Sequence, residues 1–462
     1  MKALHTSLLP VFLIFSWLLW VGCHLDETEG LLVPADCVTA VFDYSLSGDC
    51  ERPCTVTVTN MSSANATNFF WRFGSISTST EKNPPPVTFT EPGDVEIVLE
   101  ASTIDGCTDT IRKVVQVKAG ISKFAKVMDV STANVLPYGA AQRADGNYQV
   151  LFGQGNSLRS VLVNTLGALQ GAATTLSADN MTVRSCIPYN GGGFAVAGAD
   201  GFRAKIKIVG SQQTLLADPA SFHFDFSTAS LVFGQTINAD NNIAATGFRL
   251  SSNKYSVGFA RSTPSGIITQ GPLIPLNDGF GGNSIAQRPN GGYVVLASCQ
   301  TSGCSEPCRV LALSTDGGYQ SRKDLTAIRI PVRIVRAAGD SYVAVGYTAA
   351  GLPKALGLDA SLSVVWERSF SGVEEIRDVA ISTDGQLVVC GVKGAALYFA
   401  KYPLNAAGAA TWEKPFSAAG ASLQGIAITA TADGGYLVLG LQDKSGEQDL
   451  YLAKTDADGN TQ

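Results

Sequence analysis

The sequence predicts an all-β fold in which a small antiparallel sandwich is followed by a seven-bladed β-propeller. The first observation is a phrase, a turn followed by an apolar strand that ends on a small residue, which occurs seven times between Asp145 and Gly440. The copies end, 45 to 50 residues apart, on Gly153, Gly198, Gly247, Ala297, Gly346, Gly391 and Gly440. A period of roughly 40 to 50 residues with several strands is typical of propeller blades. The second observation is that residues 37–118 lack this phrase and carry short strands of alternating polarity.

The chain begins with features of an export signal. Lys2 precedes a mainly apolar run from Leu8 to Val21, which a small residue and Cys23 follow. The run is short for a membrane span of about 20 residues, so it predicts a signal peptide over residues 1–22. We expect residues 23–36 to form an acidic linker.

The small residue directly before Cys23 resembles a bacterial lipoprotein signal, with Trp20 as a departure where that family usually has Leu. The resemblance implies that the chain is cleaved ahead of Cys23 and that this cysteine carries a lipid anchor. The acidic residues after it resemble the surface-export signals of lipoproteins from the Bacteroidota. This implies an outer-membrane or cell-surface location, with the lipid as the only contact with the membrane. An ordinary secretory signal, in which Cys23 carries no lipid, is the alternative.

Residues 37–118 predict a small antiparallel sandwich. The candidate strands alternate polar and apolar residues and are Thr55–Thr59, Phe69–Phe73, Val87–Phe89, Val95–Leu99 and Val114–Val117. Turn signals separate them, such as the segment Glu91–Asp94 and the pair Asp105-Gly106. Period-two alternation with turns between the strands is typical of such a sandwich.

Three segments of this region carry a family resemblance: Trp71–Gly74, Glu91–Gly93 and Asp105–Thr110. They are similar to a PKD domain, an immunoglobulin-like sandwich that serves as a spacer or binding module in bacterial surface proteins. That family's signature is Trp-Asp-Phe-Gly-Asp-Gly. This chain keeps Trp71 and Phe73 but has Arg72 for the first Asp and Ser75-Ile76 for the Asp-Gly. The resemblance therefore implies the fold and no carboxylate role for that turn, and we expect Trp71 to be a core residue.

Residues 121–462 predict the propeller. Asp-Gly and related pairs ahead of each apolar run supply the positive φ of two-residue hairpin turns, which places the run on a blade's second strand. Such a strand is apolar throughout because neighbouring blades cover both of its faces. The small residue at its end permits a close backbone approach or a bend. Third strands follow, as in Ala396–Lys401 and Asp449–Lys454, and fourth strands are visible at Trp366–Phe370 and Trp412–Phe416.

The seventh copy ends before its fourth strand. Only 22 residues follow Gly440, whereas Trp412 begins a fourth strand 21 residues after Gly391. Phe124–Met128 shows the same alternation of aromatic, cationic and large apolar side chains. We therefore expect the strand at 122–128 to complete the seventh blade and close the ring, which removes an exposed sheet edge.

Nine cysteines follow Cys23 in a chain with an export signal, so disulfides are expected. The candidates are Cys37, Cys50, Cys54, Cys107, Cys299, Cys304 and Cys308. The last three lie in one loop, so at least one of them needs a distant partner or stays free. A metal knuckle is the alternative there, but no histidine or fourth cysteine is near in sequence. We expect Cys186 and Cys390 to be small buried hydrophobes.

Little in the sequence indicates chemistry. A net charge of −6 and the lack of a basic cluster exclude nucleic acid as the expected partner. Apart from His24, the mature chain keeps only His223, which with Asp225 is a candidate for a polar site; the alternative is a half-buried hydrogen-bonded pair. The segment Asp456–Asn460 looks like part of a calcium loop, but no acid completes the spacing and we expect a turn. We predict no catalytic residue, metal or cofactor.

Three functions remain open. The first is a lipid-anchored cell-envelope binding or scaffold protein, in which the PKD-like module spaces the propeller from the membrane and a propeller face binds a partner protein or glycan. The second is a propeller glycosidase or lyase that acts on polysaccharide, since glycoside hydrolysis needs only two suitably separated carboxylates. The third is a structural component of a secretion or motility apparatus. Clustered acids and aromatics at one channel mouth would favour the second function.

Overall fold

A computed structural model of the chain describes residues 37–461, except for 48–49, 51–53, 119–121, 132, 223, 225–228, 253, 273, 275–278, 303 and 406–407. The described residues form strands, turns and loops and contain no helix, which confirms the all-β prediction. Among them there is accordingly no helix that could cross a membrane. The signal peptide, Cys23 and the linker, predicted over residues 1–36, lie outside the described residues. The chain divides into two compact units, residues 1–120 and 121–462.

The first unit consists of two antiparallel sheets around one core. Its strands are β1 (Phe42–Leu46), β2 (Cys54–Asn60), β3 (Asn68–Phe73), β4 (Ser77–Ser79), β5 (Val87–Phe89), β6 (Gly93–Ser102) and β7 (Thr108–Val117). They pair in the orders β1-β2-β5 and β4-β3-β6-β7. In β2, Val56 and Val58 are buried while Thr57 between them is exposed. Alternation of this kind directs one face of each sheet into the shared core.

Trp71 lies in the middle of this core. Its ring is fully buried and packs edge-on against Phe42, with 5.2 Å between ring centroids. Its Nε1 donates a hydrogen bond to the carbonyl oxygen of Glu81 at 3.0 Å. Because the ring is enclosed and its polar atom has a partner, Trp71 stabilises the unit and presents no surface to a ligand.

The second unit begins with β8 (Phe124–Met128), and β8 together with the strands that follow it forms seven four-stranded antiparallel sheets within the described residues. Sheet 1 is β9 (Leu136–Gln142), β10 (Tyr148–Gln154), β11 (Ser157–Val163) and β12 (Thr174–Ser177). Sheet 2 is β13 (Met181–Tyr189), β14 (Gly193–Asp200), β15 (Arg203–Val209) and β16 (Leu215–Ala217). Sheet 3 is β17 (Ala229–Ile237), β18 (Ile243–Ser251), β19 (Lys254–Ser262) and β20 (Ile268–Gln270). Sheet 4 is β21 (Phe280–Gln287), β22 (Tyr293–Cys299), β23 (Cys308–Leu313) and β24 (Tyr319–Leu325).

The other three sheets repeat the pattern. Sheet 5 is β25 (Ile330–Arg336), β26 (Tyr342–Tyr347), β27 (Pro353–Leu358) and β28 (Val364–Ser369). Sheet 6 is β29 (Glu375–Ile381), β30 (Leu387–Lys393), β31 (Ala396–Tyr402) and β32 (Trp412–Glu413). Sheet 7 is β33 (Ser422–Ala430), β34 (Tyr436–Lys444), β35 (Glu447–Thr455) and β8.

The seven sheets form a closed ring. Successive sheets pack against each other through their first strands, and sheet 7 packs against sheet 1 through β33, β34 and β9. At that junction Thr429 Oγ1 donates a hydrogen bond to the carbonyl oxygen of Ala140 at 2.9 Å. The second strand of each sheet lies between two neighbouring sheets, so β10, β22 and β30 are buried almost throughout.

The strand β8 joins the start of the second unit to the last strand of the same unit. It pairs antiparallel with β35, with Phe124 opposite Lys454 and Met128 opposite Leu450. Both Phe124 and Met128 are buried, in a core that also contains residues of sheets 1 and 7. The last sheet is therefore completed by residues that precede the first one.

In sheets 6 and 7 an aspartate holds the turn between the first and second strands. In sheet 6, Asp384 accepts a hydrogen bond from Ser382 Oγ and pairs with Lys401 of β31 at 2.9 Å. In sheet 7, Asp433 makes the equivalent contacts with Thr431 and with Lys454 of β35, at 2.8 Å from the lysine. The aspartate of the repeated phrase thus joins the turn to the third strand.

The structure contains three disulfides among its described residues: Cys37–Cys107, Cys50–Cys54 and Cys299–Cys304. The expectation of disulfides is thereby confirmed, and of the three loop cysteines, at least one of which is expected to stay free or to need a distant partner, Cys308 is the one that forms no disulfide. It is free and buried at the start of β23, where burial raises the pKa of its thiol to about 12. Its side chain faces the core between sheets 4 and 5, away from the loop in which its two neighbours pair. Cys186 and Cys390 are also free thiols.

Candidate functional site

The first strand of every sheet in the ring carries a bulge at one equivalent position. At each bulge one residue has no partner opposite it in the second strand, and these residues are Tyr138, Arg184, Phe233, Asn283, Val332, Arg377 and Ile426. We name these seven residues the bulge ring. A bulge bends the strand and redirects a side chain, and bulges are frequent beside functional sites.

The bulges explain the small residue that ends each copy of the repeated phrase. A Cβ atom added at Gly247 would collide with the carbonyl oxygen of Leu231, which lies two residues before the bulge residue Phe233 of β17. In sheet 4 the phrase ends on Ala297, and there the residue opposite is Gly282. At Gly247 the bulge therefore brings the two backbones too close for a side chain, whereas a Cβ atom added at Gly282 would meet the side chain of Thr246 in sheet 3.

The bulge ring surrounds a cavity of about 230 Å³. All seven residues of the bulge ring line this cavity, and each belongs to the first strand of its sheet. A second cavity of about 380 Å³ is lined by later residues of the first strands and shares Ile187, Gln235 and Arg333 with the first. The two cavities therefore follow the inner strands along the channel of the ring.

Three arginines and one aspartate line the smaller cavity: Arg184, Arg333, Arg377 and Asp378. Arg333 Nη1 forms an ion pair with Asp378 Oδ1, and the charge of this carboxylate raises the pKa of the Arg333 guanidinium above its usual value. Arg377 Nε pairs with Glu375 Oε2 at 2.6 Å. The Arg184 guanidinium lies over the ring of Phe233, 5.9 Å from its centroid, and has no ion-pair partner within the described part of the chain.

Asp378 is part of the scaffold of the ring. Its Oδ2 accepts a hydrogen bond from the backbone N–H of Ile428 in sheet 7 at 3.0 Å, and its Oδ1 accepts one from Val379 N–H at 2.9 Å. Ser284 has the equivalent role between sheets 4 and 5, because Ile334 N–H donates to its Oγ at 3.1 Å. Both carboxylate oxygens of Asp378 are thus engaged in joining neighbouring sheets.

Hydrogen-bond donors outnumber free acceptors among the side chains of the cavity. Asn283 Oδ1 accepts from the backbone N–H and the Oγ of Ser298, at 3.0 and 2.8 Å. Its amide NH₂ is left without a described partner, beside the remaining N–H groups of the arginines. The cavity is therefore suited to a ligand with acceptor oxygens.

Of the polar candidates predicted from the sequence, the structure describes only the segment around Asp456, and this segment does not line the cavity. His223 and Asp225 fall outside the described residues. Asp456 holds a turn, since its Oδ1 accepts hydrogen bonds from the backbone N–H of Asp458 and Asn460 at 3.0 and 2.8 Å. No group of three or more potential metal ligands occurs among the residues that the structure describes.

Sequence reasoning missed the bulge ring, although a signal for it exists. Each of its residues stands 14 positions before the small residue that ends the phrase, or 15 positions in the first copy. The residues at this spacing share no chemical type, so the repeat alone did not reveal them. Alignment of the seven copies by their small residue would have shown one variable column.

Comparison with known proteins yields only distant structural similarity. No protein-family model and no curated protein matches the chain. Virginiamycin B lyase from Staphylococcus aureus is 12% identical over 71% of this chain and 98% of its own, with a TM-score of 0.48. The Dos1 propeller is 9% identical over 73% of this chain and 95% of its own, with a TM-score of 0.47. The PKD1 domain of the Vibrio cholerae metalloprotease PrtV is 26% identical over 18% of this chain and 99% of its own, with a TM-score of 0.16. The structural neighbours thus include propeller proteins and a PKD domain, and at these scores they carry no argument about ligand or chemistry.

Proposed function

We propose that this protein is an exported, lipid-anchored binding or scaffold protein of the cell envelope. In this proposal the first unit is a PKD-like spacer and the second is a seven-bladed propeller whose channel mouth binds a partner protein or a glycan. The closed ring of seven four-stranded sheets supports the propeller assignment. The disulfides support export, since thiols are commonly oxidised outside the cytoplasm.

The observation that carries the proposal is the cavity of the bulge ring. Seven separate strands each contribute their bulge residue to its lining, and its polar side chains are mainly donors. A concave site with a few convergent polar groups is the usual form of a binding site. The one carboxylate that lines it, Asp378, has partners on both oxygens, so the described cavity offers no pair of free acids to a glycosidase.

Crosslinking and pull-down from the native envelope test this proposal. Val332→Trp adds bulk at a residue that lines the cavity, whereas Leu352→Trp places the same side chain at an exposed turn outside it. We expect the wild-type chain and Leu352→Trp to capture the same partner or glycan and Val332→Trp to lose it. Both variants must melt at the wild-type temperature for the comparison to hold. Equal capture by Val332→Trp would overturn the assignment of the binding site to the cavity.

A further inference from the structure

We infer that the group bound in the cavity of the bulge ring is the anionic oxygen group of an acidic glycan, a carboxylate or a sulfate, held by Arg184, Arg377 and Arg333. This inference rests on the proposed binding function and gives its ligand a chemical class. Two independent properties of the cavity lead to it: the sign of its charge and the form of its donors.

The charge of the cavity is opposite to that of the chain. The whole chain carries a net charge of −6, whereas three arginines and a single aspartate line the cavity. Arg184 is the uncompensated charge, because its described contact is with the ring of Phe233. A cleft lined by one sign of charge concentrates ions of the other sign. An anion is therefore attracted to this cavity although the chain as a whole carries negative charge.

The donors have the form that recognises planar anionic groups. A guanidinium carries five N–H donors in a fixed plane and binds carboxylate or sulfate oxygens in pairs. Arg333 and Arg377 each use one nitrogen in the described ion pairs, with Asp378 and Glu375. Their other nitrogens, and those of Arg184, are left to bind a ligand.

The size and the aromatic residues of the cavity favour a sugar. At about 230 Å³ the cavity is smaller than the roughly 300 to 1,000 Å³ of pockets for drug-sized ligands, so it accepts one small unit of a larger ligand. Tyr138 of sheet 1 and Phe233 of sheet 3 line the cavity on either side of Arg184 of sheet 2, and they offer apolar surface to the C–H face of a sugar ring. A single acidic sugar residue, or a terminal one, combines these features.

Calorimetric titration of the full chain with paired probes tests the inference. One pair is oligogalacturonate and its methyl ester, and the other is a sulfated galactan oligomer and its desulfated form. The variants are Arg184→Gln and Arg377→Gln, and the control is Arg203→Gln, an exposed arginine outside the cavity. Arg333 is left in place because its pair with Asp378 joins neighbouring sheets.

We expect an acidic probe to bind, its neutral form to bind on the order of tenfold more weakly or not at all, and added salt to weaken binding. Each cavity variant should weaken binding by on the order of tenfold, and the control should not. The probe pair whose charged member binds more tightly than its neutral form identifies the bound group as a carboxylate or a sulfate. Equal binding of the neutral form, unchanged binding by both cavity variants, or no binding of either acidic probe would overturn the inference. The pull-down separates this inference from the proposed function. If wild type and Arg184→Gln capture the same partner and Val332→Trp does not, the proposed binding function is supported and the inference of an acidic glycan is overturned.

Discussion

At the scale of single residues, the ends of the repeated phrase are fixed by backbone contact. Gly247, Gly391 and Gly198 each face a carbonyl oxygen that a side chain would strike. The repeat therefore keeps a small residue at the end of each phrase. Only the copy in sheet 4 has a methyl group there, at Ala297, and Gly282 lies opposite it. The same backbone contact holds the first strand at its bulge. The small residue that ends each copy of the phrase therefore helps to position the variable residues of the bulge ring.

Gly247→Ala should lower the free energy of unfolding by about 3 kcal/mol, because backbone atoms cannot yield to the new methyl group as side chains can. Ala297→Gly is the matched control and should cost only about 1 kcal/mol, through backbone entropy and a lost methyl contact. Urea unfolding of both variants measures the difference. A Gly247→Ala protein as stable as wild type would contradict the steric explanation.

Asp384 makes the stability of the fold depend on pH in the acid range. Burial would raise the pKa of Asp384, but its hydrogen bonds with Ser382 and Lys401 outweigh that effect and lower the pKa to about 2. Because the folded-state pKa lies below the ordinary value, this aspartate stabilises the fold above about pH 4 and loses its contribution as the pH falls towards 2. Asp384→Asn should therefore destabilise the protein at pH 7 and leave a smaller loss of stability between pH 4 and 2. Asp240→Asn, at an exposed turn, is the control, and thermal melts over this pH range decide whether the two variants differ.

At the scale of elements, β8 is the strand whose partner lies farthest away in sequence. The alternation of Phe124, Lys126 and Met128 matches the fourth strands of sheets 5 and 6, and the structure pairs this strand with β35. Its two ends are buried and its middle is exposed. The strand therefore contributes two apolar side chains to the core between sheets 1 and 7.

Phe124→Ser combined with Met128→Ser should lower the free energy of unfolding by several kcal/mol, because two buried side chains are lost from the closing strand. Ala125→Ser combined with Val127→Ser changes the exposed positions of the same strand and should cost less than about 1 kcal/mol. Unfolding by denaturant measures the free energy of unfolding of the two double variants. Similar losses of unfolding free energy in the two double variants would show that β8 stabilises the fold only through its backbone.

At the scale of the whole molecule, disulfides are distributed unequally between the two units. The described residues of the first unit form two, and Cys37–Cys107 closes a loop with a sequence separation of 70. In the second unit Cys299–Cys304 has a separation of 5, so it constrains only its own loop. The larger unit depends on the packing between its sheets, whereas the smaller one gains stability from a crosslink that limits its unfolded chain.

Cys37→Ser combined with Cys107→Ser should destabilise the first unit by about 4 kcal/mol, as expected for a loop of this length. Hydrogen exchange measured by mass spectrometry should then increase in β1 to β7 and stay unchanged in β9 to β35. Cys299→Ser combined with Cys304→Ser is the control, with an effect confined to the loop ahead of β23. Faster exchange throughout the second unit of the first variant would contradict this assignment.

Much of the fold could be predicted because its signals are local. Asp-Gly pairs such as Asp384-Gly385 mark turns, and period-two alternation marks half-buried strands such as β2, since both follow from the backbone and from burial within a few residues. The site could not be predicted in this way. Arg184, Arg333 and Arg377 share no motif, and the residues that were singled out, His223 and Asp225, attracted attention by their type alone.

The sequence by itself determined that this is an all-β protein with a repeat of 45 to 50 residues, because hydrogen-bonded turns and buried strands leave a periodic pattern in the chain. Only the tertiary structure decided which residues meet. Packing of the sheets around one axis brings Arg184, Arg333 and Arg377 to one cavity from strands far apart in sequence. The pairing of Cys299 with Cys304, and not with Cys308, likewise depends on which side chain faces the core. Contacts of this kind are fixed by packing between sheets, which no local pattern records.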